Sequence, residues 1–135
     1  MRIKDGDIIP AIGISNIYLG MDKENLISLI GDEYECQKIT NGEIIKIENA
    51  KFWINNDNAI YQISVFGDFN GKWNGLIGIH STLKDVSDGV GEYKYDLYCY
   101  TIPEYPGICF ELKDEEDWDE LTAPIEYISV YTGRE

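Results

Sequence analysis

Ile17-Tyr18-Leu19-Gly20-Met21-Asp22-Lys23-Glu24-Asn25-Leu26-Ile27-Ser28-Leu29-Ile30-Gly31 reads as a short apolar strand, a turn at Gly20, a capped helix and a stop. Asp22 is suited to accept from the free N–H groups of the first helical turn, and its charge matches the positive helix end. Leu26, Ile27, Leu29 and Ile30 form the apolar stripe, with Lys23, Glu24 and Ser28 outside it. Gly31 permits the left-handed conformation that ends many helices. So short a helix is unstable alone, which predicts that it docks on a sheet.

The pattern returns in Ile77-Gly78-Ile79-His80-Ser81-Thr82-Leu83-Lys84-Asp85-Val86-Ser87-Asp88-Gly89-Val90-Gly91. Ile17 matches Ile77, Leu19 matches Ile79, Leu26 matches Val86, Ile30 matches Val90 and Gly31 matches Gly91. A second echo follows each unit: Ile60-Tyr61-Gln62-Ile63-Ser64-Val65-Phe66 against Ile125-Glu126-Tyr127-Ile128-Ser129-Val130-Tyr131. Two echoes in the same order, at offsets of about sixty and sixty-five residues, point to an internal duplication.

Each helix introduces strand-like runs. Tyr34 to Ile39, a turn at Asn41-Gly42 and Ile44 to Ile47 predict a hairpin, because Asn-Gly between β-type runs favours one. Ala50 to Ile54 and Ile60 to Phe66 follow, separated by the polar turn Asn55-Asn56-Asp57-Asn58. In the second unit Thr82 and Asp85 make a carboxylate variant of the capping box, and Gly89 interrupts the end of the helix. Tyr93 to Thr101 is expected as one tyrosine-rich strand, then Ile108 to Leu112 and Ile125 to Tyr131. Pro10 and Gly13 are expected to break any regular element before Ile14, and Asp5-Gly6-Asp7 reads as a turn. Residues 67–75 form the junction, with Phe69 and Trp73 packed over it. The expected architecture is one α+β domain over residues 1–135. Two tandem helix-plus-antiparallel-meander units, about 14–66 and 76–131, share one mainly antiparallel sheet with the helices on one face.

Composition narrows the function. A net charge of −14 repels nucleic acid and anionic membranes and attracts a basic protein. The apolar runs are too short to span a bilayer, and the first residues lack the apolar core of a signal peptide, so a cytoplasmic location is expected. Cys36, Cys99 and Cys109 are odd in number and lack CxxC spacing, which argues against a disulfide framework or zinc site; Cys36 and Cys109 read as small buried apolar residues. His80, the single histidine, reads as a partly exposed turn residue. There is no phosphate loop, dinucleotide fingerprint or nucleophile elbow. The expectation is therefore a binding protein with no catalytic residues, metal or cofactor.

One stretch stands out as a candidate surface. Lys113-Asp114-Glu115-Glu116-Asp117-Trp118-Asp119-Glu120-Leu121 sits where the first unit has only its polar quartet, so it is an acidic insertion around one tryptophan. The segment reads as a solvated loop or, given the helical spacing of Trp118 and Leu121, one helical turn with both anchored to the core. The partner-facing alternative makes Asp114, Glu115, Glu116, Asp117, Trp118, Asp119 and Glu120 the first candidate contacts. The exposed tyrosines of the run Tyr93 to Tyr100, Tyr95 and Tyr98 among them, come second.

The segment Leu19-Gly20-Met21 leading into a capped helix that stops at Gly31 resembles the repeat unit of β-lactamase-inhibitor-like proteins. That resemblance implies a helical segment and an antiparallel meander, each occurring twice, over most of the chain. The second unit carries Ile79-His80-Ser81 in place of the motif. In class, a small acidic chain without a catalytic set is similar to the immunity proteins of contact-dependent or polymorphic toxin systems. This likeness implies a cognate basic toxin domain as partner, often a nuclease, and transfers no residues. The alternative is a non-catalytic adaptor or housekeeping binding domain.

Overall fold

Alternating burial along the inner strands gives the main sheet one dry face. The computed structural model describes residues 2–132. Three two-residue strands come first: β1 (Ile8–Ile9), β2 (Gly13–Ile14) and β3 (Ile17–Tyr18). Helix α1 (Lys23–Ile30) leads into β4 (Glu35–Ile39), β5 (Gly42–Lys46), β6 (Ala50–Asn55) and β7 (Ile60–Phe66). Helix α2 (Leu83–Gly89) leads into β8 (Lys94–Asp96), β9 (Cys99–Thr101), β10 (Ile108–Leu112) and β11 (Ile125–Tyr131). Ala50, Phe52 and Ile54 of β6 are buried while Lys51, Trp53 and Asn55 between them are half-buried. Ile63, Val65, Ile108, Phe110, Ile128 and Val130 continue the dry face, and Leu26, Ile30, Leu83 and Val86 of the helices join the same cluster.

The strands lie in the order β4-β5-β6-β7-β11-β10-β9-β8, with antiparallel pairing throughout this sheet. Each meander therefore runs from one edge to the middle, and the two meet at β7 and β11. At the meeting point Ser64 lies opposite Ser129, their hydroxyls 2.5 Å apart and both buried. One hydroxyl donates to the other, so each of these buried groups has a partner within the ladder. The fold is thus strand-rich and mainly antiparallel, with two short helices among the described residues.

Both expected caps form. Asp22 accepts from the Asn25 N–H at 2.8 Å, and Thr82 and Asp85 complete a reciprocal capping box. The junction aromatics pack as expected: Phe69 and Trp73 are buried, and Trp73 bridges to both Ile8 and Ile77.

Other expectations need correction. Pro10 and Gly13 do not prevent regular structure, because β1 pairs with β2 and β2 with β3 in a separate small sheet. Leu29 is exposed, since α1 buries only Leu26 and Ile30 fully. The first hairpin turns at Thr40 and Asn41, with Gly42 already paired to Ile39. Tyr93 to Thr101 is two strands, because the chain reverses at Leu97 and Tyr98. Cys36 is exposed at an edge and donates to a buried carboxylate.

That carboxylate, Glu43, is only 7% exposed and ties α1 to the β4–β5 hairpin. Lys23 Nζ reaches its two oxygens at 3.0 and 3.1 Å, and the Cys36 thiol donates to Oε1 at 3.0 Å. The Cys36 hydrogen bond and then the Lys23 contacts hold its carboxyl below the usual range, against the opposing effect of burial. A depressed carboxyl stabilises the fold above the ordinary glutamate value near ~4.3 and loses that contribution as pH falls through its folded value. Glu43→Gln is therefore expected to flatten the acid side of a stability–pH curve below about pH 4.3, measured by urea unfolding.

Gly42 sits beside this cluster with φ 151°, where an added Cβ would lie 1.9 Å from the Ile54 carbonyl oxygen. Gly20, at φ 89°, has open space. Gly42→Ala should cost about 3 kcal/mol, combining backbone overlap with φ strain, against about 1 kcal/mol for Gly20→Ala, both read from urea midpoints.

Candidate functional site

The second hairpin reverses without glycine. Tyr95 pairs with Tyr100 and Asp96 with Cys99, which leaves Leu97 and Tyr98 as a two-residue loop. Their φ angles are 48° and 74°, the left-handed pair that such a tight reversal demands. Bulky residues adopt this conformation at a cost of roughly 1–2 kcal/mol each. Burial does not offset it, because Leu97 is 68% and Tyr98 88% exposed. The fold thus holds two large apolar side chains in solvent on a strained tip.

Beside this tip the sheet opens. β9 pairs with β10 only at Thr101–Cys109 and Tyr100–Phe110, although β10 runs on to Leu112. The hairpin and the end of β10 diverge, and the 113–121 segment folds over the gap. An open groove of about 540 Å³ results, lined by Tyr95, Tyr98, Glu111, Asp114, Trp118 and Glu120 together with Tyr100 and Leu112. A second groove of about 570 Å³ shares Tyr98 and Glu111 with it and contains Cys99 and Cys109.

The 113–121 segment is held by turns rather than by a helix. Lys113 N–H donates to the Pro124 carbonyl at 2.8 Å, and the Asp119 carbonyl accepts from Ala123 at 2.8 Å. Trp118 is 47% exposed and Leu121 is also exposed, so the expected helical turn anchoring both to the core is not formed. Of the acidic candidates, Asp114 and Glu120 enter the groove with Trp118, Tyr95 and Tyr98. Glu115, Glu116 and Asp117 are exposed outside it, and the Asp119 side chain is engaged by the Leu121 N–H at 2.8 Å.

Glu120 is the organised member. Tyr93 Oη donates to Oε2 at 2.9 Å and Tyr100 Oη to Oε1 at 3.1 Å, one phenol on each carboxylate oxygen. Tyr100 also packs against Tyr93 and Tyr95, at ring-centroid distances of 5.8 and 5.0 Å. Tyr93 and Tyr100 were marked in the sequence only as the ends of a tyrosine-rich run, and Glu111 was not a candidate. The two tyrosines belong to the tyrosine-rich run, but their convergence on Glu120 depends on the hairpin and insertion meeting. Nothing local marks Glu111. Although Glu111 is exposed, partial desolvation by its neighbours pushes its carboxyl up.

The nucleophile candidates lie elsewhere. The Cys109 thiol is pushed well up by burial, and Cys99 is raised for the same reason, so neither is an activated thiolate at neutral pH. Exposed His80 adopts φ 79° and donates its backbone N–H to the Ile125 carbonyl at 2.9 Å. Ser129 is engaged by Ser64. Among the described residues, no group of three or more His, Cys, Asp or Glu side chains is arranged to hold a metal. No helix among the described residues is long and apolar enough to cross a membrane. Comparison with known proteins finds no matching family model, curated protein or solved structure.

The two phenols bound to Glu120 should titrate differently. Burial, then the bond to Glu120, pushes Tyr100 up to about 12, whereas Tyr93 is raised chiefly by that bond. In Glu120→Gln, Tyr93 is expected to return towards the ordinary tyrosine value near ~10 while Tyr100 stays raised, as followed by NMR of ring-labelled tyrosine at alkaline pH.

Proposed function

We propose that this chain is an immunity protein that binds and neutralises a cognate basic toxin domain, of nuclease type, in the cytoplasm of the cell that makes it. The observation that carries the reading is the convergence of Tyr95, Tyr98 and Trp118 with Asp114 and Glu120 in one open groove. Exposed aromatics ringed by charge are the side chains in which interface binding energy concentrates. The net charge of −14 supports the choice of a cationic partner, because it speeds encounter with one and disfavours nucleic acid itself.

An internal duplication, with units about 14–66 and 76–131 joined by 67–75 and helices on one face of the sheet, is part of the same proposal. Matched hydrogen bonds support it. Gly20 N–H to Ile60 O at 2.7 Å corresponds to His80 N–H to Ile125 O at 2.9 Å. The return bonds, Ile60 to Met21 at 2.9 Å and Ile125 to Ser81 at 2.7 Å, correspond as well. Gly20 and His80 share the left-handed conformation, with φ 89° and 79°.

Comparing the two units supports the location of function. The quiet Thr40–Asn41 turn corresponds to the Leu97–Tyr98 tip, and the Asn55–Asn58 quartet to the acidic insertion. Those are the two segments that enclose the groove. The two units thus differ at the segments where the aromatics and carboxylates meet, as in a scaffold elaborated at one end for binding.

Co-expression with a small basic domain, if the neighbouring open reading frame encodes one, tests this. Association that weakens with added salt, rescue of growth, and a loss of about 2 kcal/mol or more in Trp118→Ala are expected. Failure both to co-purify and to protect cells would reject the immunity role and leave the adaptor alternative.

A further inference from the structure

The groove has the composition of a cation receptor. Its wall carries the exposed ring of Trp118 and those of Tyr95 and Tyr98, and its carboxylates are Glu111, Asp114 and Glu120. No lysine or arginine lines it among the described residues. Carboxylates set beside accessible aromatic faces favour a cation that satisfies both at once.

Glu120 narrows the choice of cation. Its oxygens are held by separate phenols, Tyr93 on Oε2 at 2.9 Å and Tyr100 on Oε1 at 3.1 Å, so the carboxylate plane is fixed before any ligand arrives. Each oxygen keeps further acceptor capacity, since a carboxylate offers about four lone-pair sites. A planar fork of N–H donors matches a fixed pair of oxygens, and the same plane stacks on an indole or phenol face. A lysine ammonium, compact and strongly hydrated, gains from the charge but not from the fork or the stacking.

We infer that this groove is a receptor for an arginine side chain of the partner protein, with the guanidinium paired to Glu120 and stacked on Trp118. The assignment rests on the binding role proposed above for the same groove. Asp114 and Glu111 add attraction, and Tyr98, on its strained tip, stands at the open side. The partner would present this arginine from a protruding loop or strand end, because the groove is walled by the β8–β9 hairpin on one side and the 113–121 segment on the other.

The test uses the full chain and the peptide Ac-Gly-Arg-Gly-NH2, with lysine and citrulline versions as controls. Binding is followed by the indole N–H resonance of Trp118, identified by its loss in Trp118→Phe. A saturable shift with the arginine peptide is expected, at least about fivefold tighter than with lysine, and no shift with citrulline, which keeps the shape but lacks the charge. Glu120→Gln and, independently, Asp114→Asn should abolish or weaken the arginine response at Trp118 while resonances remote from the groove stay in place. Equal response to lysine and arginine, or shifts spread over the whole acidic surface, would overturn the receptor in favour of unspecific attraction. Toxin association without any arginine response at Trp118 would overturn the receptor and keep the immunity role. Arginine binding at Trp118 without toxin association would uphold the receptor and reject that role.

Discussion

Strands β7 and β11 pair from Tyr127 opposite Phe66 to Tyr131 opposite Gln62, and this ladder makes one sheet of two meanders. Without it each meander would expose another edge, a row of unpaired backbone groups and half of its dry face. Ile63 and Val65 meet Val130 and Ile128 across it, so both halves contribute to one core. Ser64 and Ser129 stand at its centre on the opposite face. Because one hydroxyl donates to the other, the join leaves neither buried side chain without a partner.

Fixing the middle of the sheet leaves its ends free to diverge. At one edge, β4 and β5 pair from Glu35–Lys46 to Ile39–Gly42, and Glu43 clamps the hairpin to α1 through Lys23. At the other edge, β8 and β9 are three-residue strands and the β9–β10 ladder stops after two pairs. Hydrogen bonds that would have continued the sheet are given up there, and the groove occupies the opening. The same edge carries the strained Leu97–Tyr98 tip and the solvent-facing Trp118. A fold stabilised centrally tolerates such a locally unfavourable arrangement when binding uses it.

Charge acts at two ranges in this reading. In the proposed role, the overall negative charge would speed encounter with a cationic partner, an effect screened by salt. Within the groove, geometry matters more: Glu120 is oriented by Tyr93 and Tyr100, while Glu115, Glu116 and Asp117 lie outside and contribute mainly to the long-range field. An acidic run is therefore not a uniform surface. Its members are divided by which of them the neighbouring hairpin reaches.

Local signals determined much of this chain. Helix caps at Asp22 and Thr82, strand runs such as Ile60 to Phe66 and Ile125 to Tyr131, and the buried junction aromatics are properties of neighbouring residues, and they were legible for that reason. The short β1–β2–β3 sheet was not, because two-residue strands carry no measurable alternation. Nor was the reversal at Leu97–Tyr98: its sequence holds no glycine, asparagine or proline, and only the pairing of Tyr95 with Tyr100 imposes the left-handed backbone. Tyr95, Tyr98, Asp114, Trp118 and Glu120 were recognisable individually as exposed or acidic candidates, but their meeting was not. That depends on a hairpin and an insertion on different strands being brought together where the β9–β10 ladder ends, a long-range fact of tertiary structure that no residue's immediate neighbours encode.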